Sequence, residues 1–263
     1  GAPMTQSWRS HLEFATQTAW QAGQLTLGYF QTGLRPDFKD DDSPVTVADR
    51  NAEELIRERI DAAYPDYGII GEEYGEAAVA GMDRRWIIDP IDGTRSFVRG
   101  VPLYAVLIAL EVDGDVPVGV AYFPALGEMI AAARGEGCWW NGRPARVSQV
   151  SALQDSIVSF TDPVSFANFD RAAPWARFQA CGATCRGWSD AYGHALVATG
   201  RAEVMLDPIM SVWDCAPFLP ILQEAGGYFG DWDGNPTIRG QEALSTNQAL
   251  LPDVLALIQE KES

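Results

Sequence analysis

The densest chemical signal in the chain is the run Trp86-Ile87-Ile88-Asp89-Pro90-Ile91-Asp92-Gly93-Thr94-Arg95-Ser96-Phe97. An apolar strand delivers two aspartates three residues apart, with a proline between them to stop the strand, and Gly93-Thr94 then expose backbone N–H groups at a turn. Carboxylates this close repel one another unless a cation neutralises them. Hard oxygen ligands of this kind suit Mg²⁺, which takes few protein carboxylates and completes its shell with water and substrate phosphate. The plainer reading of the same run is a turn whose aspartates cap a helix.

Three further acidic elements shift the balance. Gly71-Glu72-Glu73 follows the apolar pair Ile69-Ile70, so its carboxylates emerge at a sheet edge. Thr46-Val47-Ala48-Asp49 opens a helix and also fits a capping box. Trp213-Asp214 opens a later helix, where Asp214 could equally serve as a cap. Each has an ordinary structural explanation; together the four point to a divalent-metal site.

These residues need a framework large enough to converge them. The chain has 263 residues, 47% of them hydrophobic, which suits one large α/β domain or two closely packed lobes. No apolar run approaches the roughly 18 residues of a membrane span, so none is expected. Gly1 to Met4 read as a leftover leader before a native start at Met4, and no charged-then-apolar signal follows, so the expected setting is cytoplasmic. A net charge of −17 argues against nucleic acid as a partner. It would also repel an anionic substrate unless metal loads the acidic pocket. Four cysteines form no C-x-x-C pair and read as reduced, mostly buried thiols. Neither of the two histidines, His11 and His194, has the loop-and-arginine setting of a phosphohistidine nucleophile.

Trp8, Leu12, Ala15, Ala19, Ala22, Leu25 and Tyr29 mark one face of a long opening helix. An acidic loop follows (Lys39-Asp-Asp-Asp-Ser-Pro44), then a second helix through Ala52, Leu55, Ile56, Ile60 and Ala63. Strands are predicted at 86–91, 103–112, 116–123, 156–160 and 202–207, and helices at 189–200, 213–225 and 250–259. The irregular alternation favours a mixed, layered α+β architecture over a pure βαβ barrel. The expected division is a metal-binding lobe over 1–145 and a lobe over 146–263 that completes the site, in one compact unit.

Gly71-Glu72-Glu73, the long Trp86–Thr94 motif and Trp213-Asp214 with Glu224-Ala225-Gly226-Gly227 resemble the signatures of the inositol monophosphatase family. The resemblance runs from about residue 10 to 255 and implies the αβαβα sandwich shared by inositol monophosphatases and fructose-1,6-bisphosphatases. It implies a Mg²⁺-dependent phosphate monoester hydrolase with two to three ions per site. Glu72, Asp89 and the Ile91 carbonyl would hold one ion; Asp89, Asp92 and Asp214 a second; Glu72 would also reach a third. Gly93 and Thr94 N–H groups would cradle phosphate. Asp49 and the Thr94 hydroxyl would orient the attacking water and help to deprotonate it, with Glu73 standing behind. The resemblance also implies a homodimer and inhibition by lithium.

The longer run through Arg95-Ser96-Phe97-Val98-Arg99-Gly100-Val101-Pro102 is similar to the histidinol-phosphate phosphatase branch, as are Arg186 to Gly193, Val197 to Glu203 and Asp207 to Asp214. That branch often has Lys where Arg95 stands and Gly where Ser189 stands. Asp190, with the neighbouring Ala191, and Asp207 would face the organic end of the substrate beside Asp92. Two such carboxylates favour a cationic substrate, and L-histidinol phosphate carries an ammonium and an imidazole. Trp188 and Tyr192 are candidates for stacking on that ring, or for the core. Asp190 and Asp207 have turn or cap duty as their alternative. The competing functions are an inositol-1-monophosphatase or broad sugar-phosphate phosphatase, and a catalytically silent relative that binds a metabolite as a regulator. A nucleotide-directed relative fits less well, because that branch usually has Lys-Glu-Phe where this chain has Arg95-Ser96-Phe97.

Overall fold

The computed structural model describes residues 7–39, 44–78 and 83–260. The leader Gly1 to Met4 and positions 40–43 of the acidic loop lie outside the described residues. Helix α1 (Arg9–Leu27) buries Ala15, Ala19, Ala22 and Thr26 at spacings of three and four. The short paired strands β1 (Asp37–Phe38) and β2 (Pro44–Val45) lead into α2 (Val47–Ala63). Next come β3 (Gly68–Gly71), β4 (Gly75–Ala77), β5 (Arg84–Asp92) and the five-residue helix α3 (Thr94–Val98). A meander of β6 (Ala105–Val112), β7 (Asp115–Phe123), β8 (Glu128–Ala133), β9 (Gly137–Trp140) and β10 (Arg143–Pro144) completes an eight-stranded sheet. Its order is β10-β9-β8-β7-β6-β5-β3-β4, antiparallel except where β3 lies parallel to β5.

The second half contains β11 (Ile157–Phe160), α4 (Pro163–Asn168), α5 (Ala172–Ala180), β12 (Thr184–Arg186), α6 (Asp190–Ala198) and β13 (Val204–Asp207). It continues with α7 (Val212–Cys215), α8 (Phe218–Glu224), β14 (Gly227–Gly230), β15 (Ala243–Asn247) and α9 (Leu251–Gln259). The five-stranded sheet runs β12-β11-β13-β15-β14, parallel across its first three strands and antiparallel beyond.

Alternation along the strands sorts side chains between layers. Trp86 and Ile88 of β5, with Val106 and Ile108 of β6, pack under α1 and α2. Ile87 and Leu107, one position out of phase, face Ala195 and Leu196 of α6 and Phe218 and Leu222 of α8. Those helices rest in turn on Met205 and Phe229 of the second sheet, whose Val204 and Leu206 face Trp175, Phe178 and Val254 on the far side. The result is an αβαβα sandwich.

The helix expected over 213–225 is two helices, α7 and α8, interrupted at Ala216-Pro217. Proline has no N–H to extend the α7 ladder and instead opens α8 with φ −68°. All four cysteines are free, with Cys138 and Cys215 buried. His11 lies in an aromatic cluster with Trp8, Tyr64 and Trp86, held by the Tyr67 hydroxyl at 3.1 Å.

Candidate active site

The site forms where the carboxyl ends of β3, β5, β11 and β13 meet the N-termini of α3, α6 and α7. Parallel pairing of β3 with β5 and of β11 with β13 aims the ends of each pair the same way. On β5 the register against β6 slips between Asp89, opposite Leu107, and Asp92, opposite Ala105. Pro90 and Ile91 on β5 therefore oppose the single Val106 on β6, so the proline expected to stop the strand instead bulges it, having no N–H to give the ladder. The bulge brings both aspartates to the cleft. Asp89 accepts the Ile91 N–H at 3.0 Å, and Asp92 accepts the Ala191 N–H at 2.9 Å, which ties β5 to α6. Gly93 follows at φ +81°, and a Cβ there would lie 3.1 Å from the Asp190 carboxylate, so glycine is needed both for the turn and for space.

Asp214 takes the third position of α7 and accepts the Ser211 N–H at 2.8 Å in a capping box. Asp89, Asp92 and Asp214 place one carboxylate oxygen each within 4.8 Å of one another. Among the described residues, no lysine or arginine pairs with any of the three. Burial, and then the negative charges of Glu72, Asp92 and Asp214, push the Asp89 carboxyl well up. Burial with Asp190 and Asp214 does the same to Asp92. Burial is again the main cause for Asp214, raised to about 7, with the Ser211 N–H opposing. Three clustered carboxylates, Asp89 buried and Asp92 and Asp214 half-buried, with no counter-charge of their own fit a hard divalent cation such as Mg²⁺.

Glu72 stands just past β3, its N–H bonded to the Ile88 carbonyl at 3.3 Å. Its carboxylate meets Lys39 Nζ at 2.9 Å, and Glu73 meets the same ammonium at 2.8 Å. Burial opposes the Lys39 charge, but the two glutamates outweigh it and hold its pKa up; burial raises Glu73 to about 7. The turn that carries both glutamates hangs on Glu53 of α2. This fully buried carboxylate accepts the Glu73 and Tyr74 N–H groups at 2.8 and 3.1 Å and pairs with Arg57 at 2.8 Å.

Asp49 is buried in the first turn of α2, where the Thr46 N–H and hydroxyl both reach it in the expected capping box. Its other oxygen lies 3.1 Å from Thr94 Oγ1, which also reaches the Ile91 carbonyl at 3.0 Å. Capping and site geometry thus coexist at Asp49. Desolvation raises its pKa, against the hydrogen bonds from Thr46 and Thr94.

A cavity of about 730 Å³ is lined by Glu72, Asp89, Asp92, Gly93, Thr94 and Asp214, with Arg95 and Ser96 at its side. A smaller one of about 170 Å³ shares Asp92, Asp190 and Asp214 with it and adds Ala191, Asp207 and Met210. Asp190 adopts φ +52° at the start of α6, where its N–H donates to Thr161 Oγ1 at 2.9 Å. Burial, followed by the charges of Asp207 and Asp214, raises its carboxyl to about 7, with Arg95 opposing.

Asp49, Glu72, Asp89, Ile91, Asp92, Gly93, Thr94, Asp190, Ala191, Asp207 and Asp214 therefore lie at this cleft or directly against it, whereas the two stacking candidates do not. Tyr192 does not line either cavity: its hydroxyl donates to Glu128 at 3.0 Å and its ring meets Phe123 edge-on, while Trp188 packs on the main core. Sequence reasoning passed over Lys39, Glu53, Thr161, Asp162 and Ser165. Thr161 and Asp162 directly follow the strand read at 156–160, and that position at a strand's carboxyl end was the available signal.

Residues 7–263 match the model of the inositol monophosphatase family. The chain belongs to that family. It is accordingly a phosphoric monoester hydrolase. Among inositol monophosphatase relatives, a histidinol-phosphatase of Chlorobaculum parvum is 49% identical over 249 residues, covering 94% of this chain and 96% of its own. An inositol-1-monophosphatase of Mesorhizobium japonicum is 34% identical, covering 91% of this chain and 90% of its own. The crystal structure of the extragenic suppressor protein suhB of Bartonella henselae superposes with a TM-score of 0.90 at 28% identity, over 96% of this chain and 100% of that one. No described helix is long and apolar enough to cross a membrane.

Proposed function

We propose that this phosphatase is a histidinol-phosphate phosphatase, converting L-histidinol phosphate and water to L-histidinol and phosphate with two to three Mg²⁺ ions. The observation that carries the reading is the pair Asp190 and Asp207 lining the small cavity that adjoins the metal-ligand cluster. Carboxylates there suit a substrate whose organic end is cationic. The 49% identity to a protein of that name supports the same reading.

Glu72, Asp89, the Ile91 carbonyl, Asp92 and Asp214 would hold the ions. Bound there, such ions would supply charge neutralisation of the phosphoryl oxygens and a lowered pKa for the attacking water. The remaining work falls to the chain. The Gly93 and Thr94 N–H groups, at the start of α3, orient the phosphate. The Thr94 hydroxyl takes the proton of the attacking water and passes its own to Asp49, 3.1 Å away. Desolvation of Asp49 makes it a better proton acceptor than an exposed aspartate. Asp190, Asp207 and the Ala191 segment hold the organic end in line. A cytoplasmic homodimer is carried over from the family resemblance as part of the same proposal.

The second reading is an inositol-1-monophosphatase, favoured by the relative in M. japonicum and by hydroxyl-compatible groups at the cavity (Thr161, Ser165). Phosphate release from histidinol phosphate and inositol 1-phosphate, side by side with Mg²⁺ and with EDTA, tests the proposal. A chelator-sensitive preference for histidinol phosphate is expected. A preference for the inositol ester would overturn the substrate and leave the metal chemistry in place.

A further inference from the structure

His194 is fully buried on α6, one turn beyond the Asp190-Ala191 segment that borders the small cavity. Its ring packs beside Phe218 and Phe229, with centroids at 5.2 and 5.6 Å. Both ring nitrogens are engaged: Nε2 is 3.1 Å from Asp207 Oδ2, and Nδ1 is 2.7 Å from Ser245 Oγ on β15. As a carboxylate Asp207 accepts from Nε2–H, which leaves Nδ1 to accept the hydrogen bond donated by the Ser245 hydroxyl. Among the described residues, His194 is the one hydrogen-bond partner of the Asp207 carboxylate, and the other Asp207 oxygen is neither paired nor sealed from solvent. Asp207 itself lines the small cavity.

We propose that His194, oriented by Ser245, is a positioning residue that locks the Asp207 carboxylate with one oxygen turned back into the protein and the other presented to the cationic end of the substrate. The proposal rests on the reading of Asp207 as a substrate contact. Held from behind by an apolar-walled imidazole, Asp207 offers one fixed acceptor to an incoming N–H donor, and its rotation is not frozen anew on each binding event. Ser245 selects the ring tautomer: with its hydroxyl proton directed at Nδ1, the ring's own proton stays on Nε2. The chain thus builds a Ser-His-Asp series whose output is recognition rather than nucleophilic attack, since Ser245 and His194 are fully buried and line neither of the two cavities of the cleft.

The experiment compares kcat/KM for histidinol phosphate with that for glycerol 2-phosphate, an ester without a cation, in Mg²⁺-loaded enzyme. Asp207→Asn, His194→Phe, His194→Gln and Ser245→Ala are assayed together. In His194→Phe the ratio is expected to fall about tenfold through KM for histidinol phosphate, the scale of losing one hydrogen bond to a charged group. His194→Gln, which keeps an N–H donor, recovers most of it, and Ser245→Ala loses about threefold on the same scale. If Asp207→Asn leaves the ratio unchanged, the reading of Asp207 as a substrate contact fails. If Asp207→Asn lowers the ratio while His194→Phe keeps it, the positioning role fails and the substrate reading stands. Should His194→Phe not fold, Ser245→Ala decides: an unchanged ratio overturns the role.

Discussion

Replacing Gly71 with alanine tests how a residue remote from the reaction places Glu72, a proposed metal ligand. Gly71 ends β3, and an alanine Cβ there would run into Glu53 Oε1 while lying 2.6 Å from Glu53 Cδ and 2.8 Å from Arg57 Nη2. Relief by rotation is blocked, because Glu53 is fully buried and its two oxygens already hold the Glu73 and Tyr74 N–H groups. Overpacking of this kind costs about 1–3 kcal/mol. Weakening hydrogen bonds to a buried carboxylate adds about 1.5–3 kcal/mol for each one lost. With partial relaxation, a net loss of about 3 kcal/mol follows, which lowers Tm by about 6–12 °C in a protein of this size. The same displacement moves Glu72, one residue on, so the Mg²⁺ concentration for half-maximal phosphate release should rise about 10- to 100-fold. Thermal unfolding in EDTA measures the first effect and a Mg²⁺ titration of phosphate release the second. A Tm within about 2 °C of the parent, with an unchanged Mg²⁺ midpoint, would refute the reasoning.

Two further outcomes follow from the crowding of carboxylates. Asp92→Asn should cut phosphate release at least about a hundredfold if, as proposed, Asp92 holds the metal. Because it also removes one of several repelling charges while keeping an acceptor for the Ala191 N–H, its Tm in EDTA should equal or exceed the parent's; retained activity would sink the ligand assignment. The second outcome concerns pH. Asp190 and Asp214 are both raised to about 7, so in each the folded pKa exceeds the unfolded value of about 4. Their stabilising contribution is complete below about pH 4 and is lost as pH rises through 7. The Tm of the chelated protein should therefore fall between about pH 5 and pH 8, and saturating Mg²⁺ should abolish that fall. A chelated protein whose Tm holds steady or climbs over that interval would contradict the charge arrangement.

Much of this molecule was legible because its determinants are local. The Asp89 to Thr94 motif carries its own strand, bulge and turn within a few residues, so two carboxylates and exposed N–H groups could be placed together from spacing alone. The faces of α1 and α2 follow from apolar residues three and four apart, and Thr46 with Asp49 from the short reach of a capping box. The strands from 103 to 123 were readable for the same reason, since their hairpin turns on Asp113-Gly114, both at positive φ.

Other features depended on residues far apart in the chain. The strands β8 to β10 and β14 to β15 carry short or small-residue runs whose pairing partners, not their composition, make them strands. Glu53 reads as an ordinary helical glutamate until the β3–β4 turn is laid over it. Lys39 finds Glu72 and Glu73 more than thirty positions away.

The sequence by itself pointed to the class of chemistry. Each acidic element alone admits a turn or capping role, but the four together favour a divalent-cation site, and their resemblance to the inositol monophosphatase signatures implies phosphate ester hydrolysis. Tertiary structure decided which carboxylates share that cleft and how each is held. The orientation of a buried side chain depends on hydrogen-bond partners supplied by distant elements, and a linear pattern cannot encode those contacts. His194 is the sharpest case: a lone histidine in a small-residue helix, given its role by Asp207 on one strand and Ser245 on another.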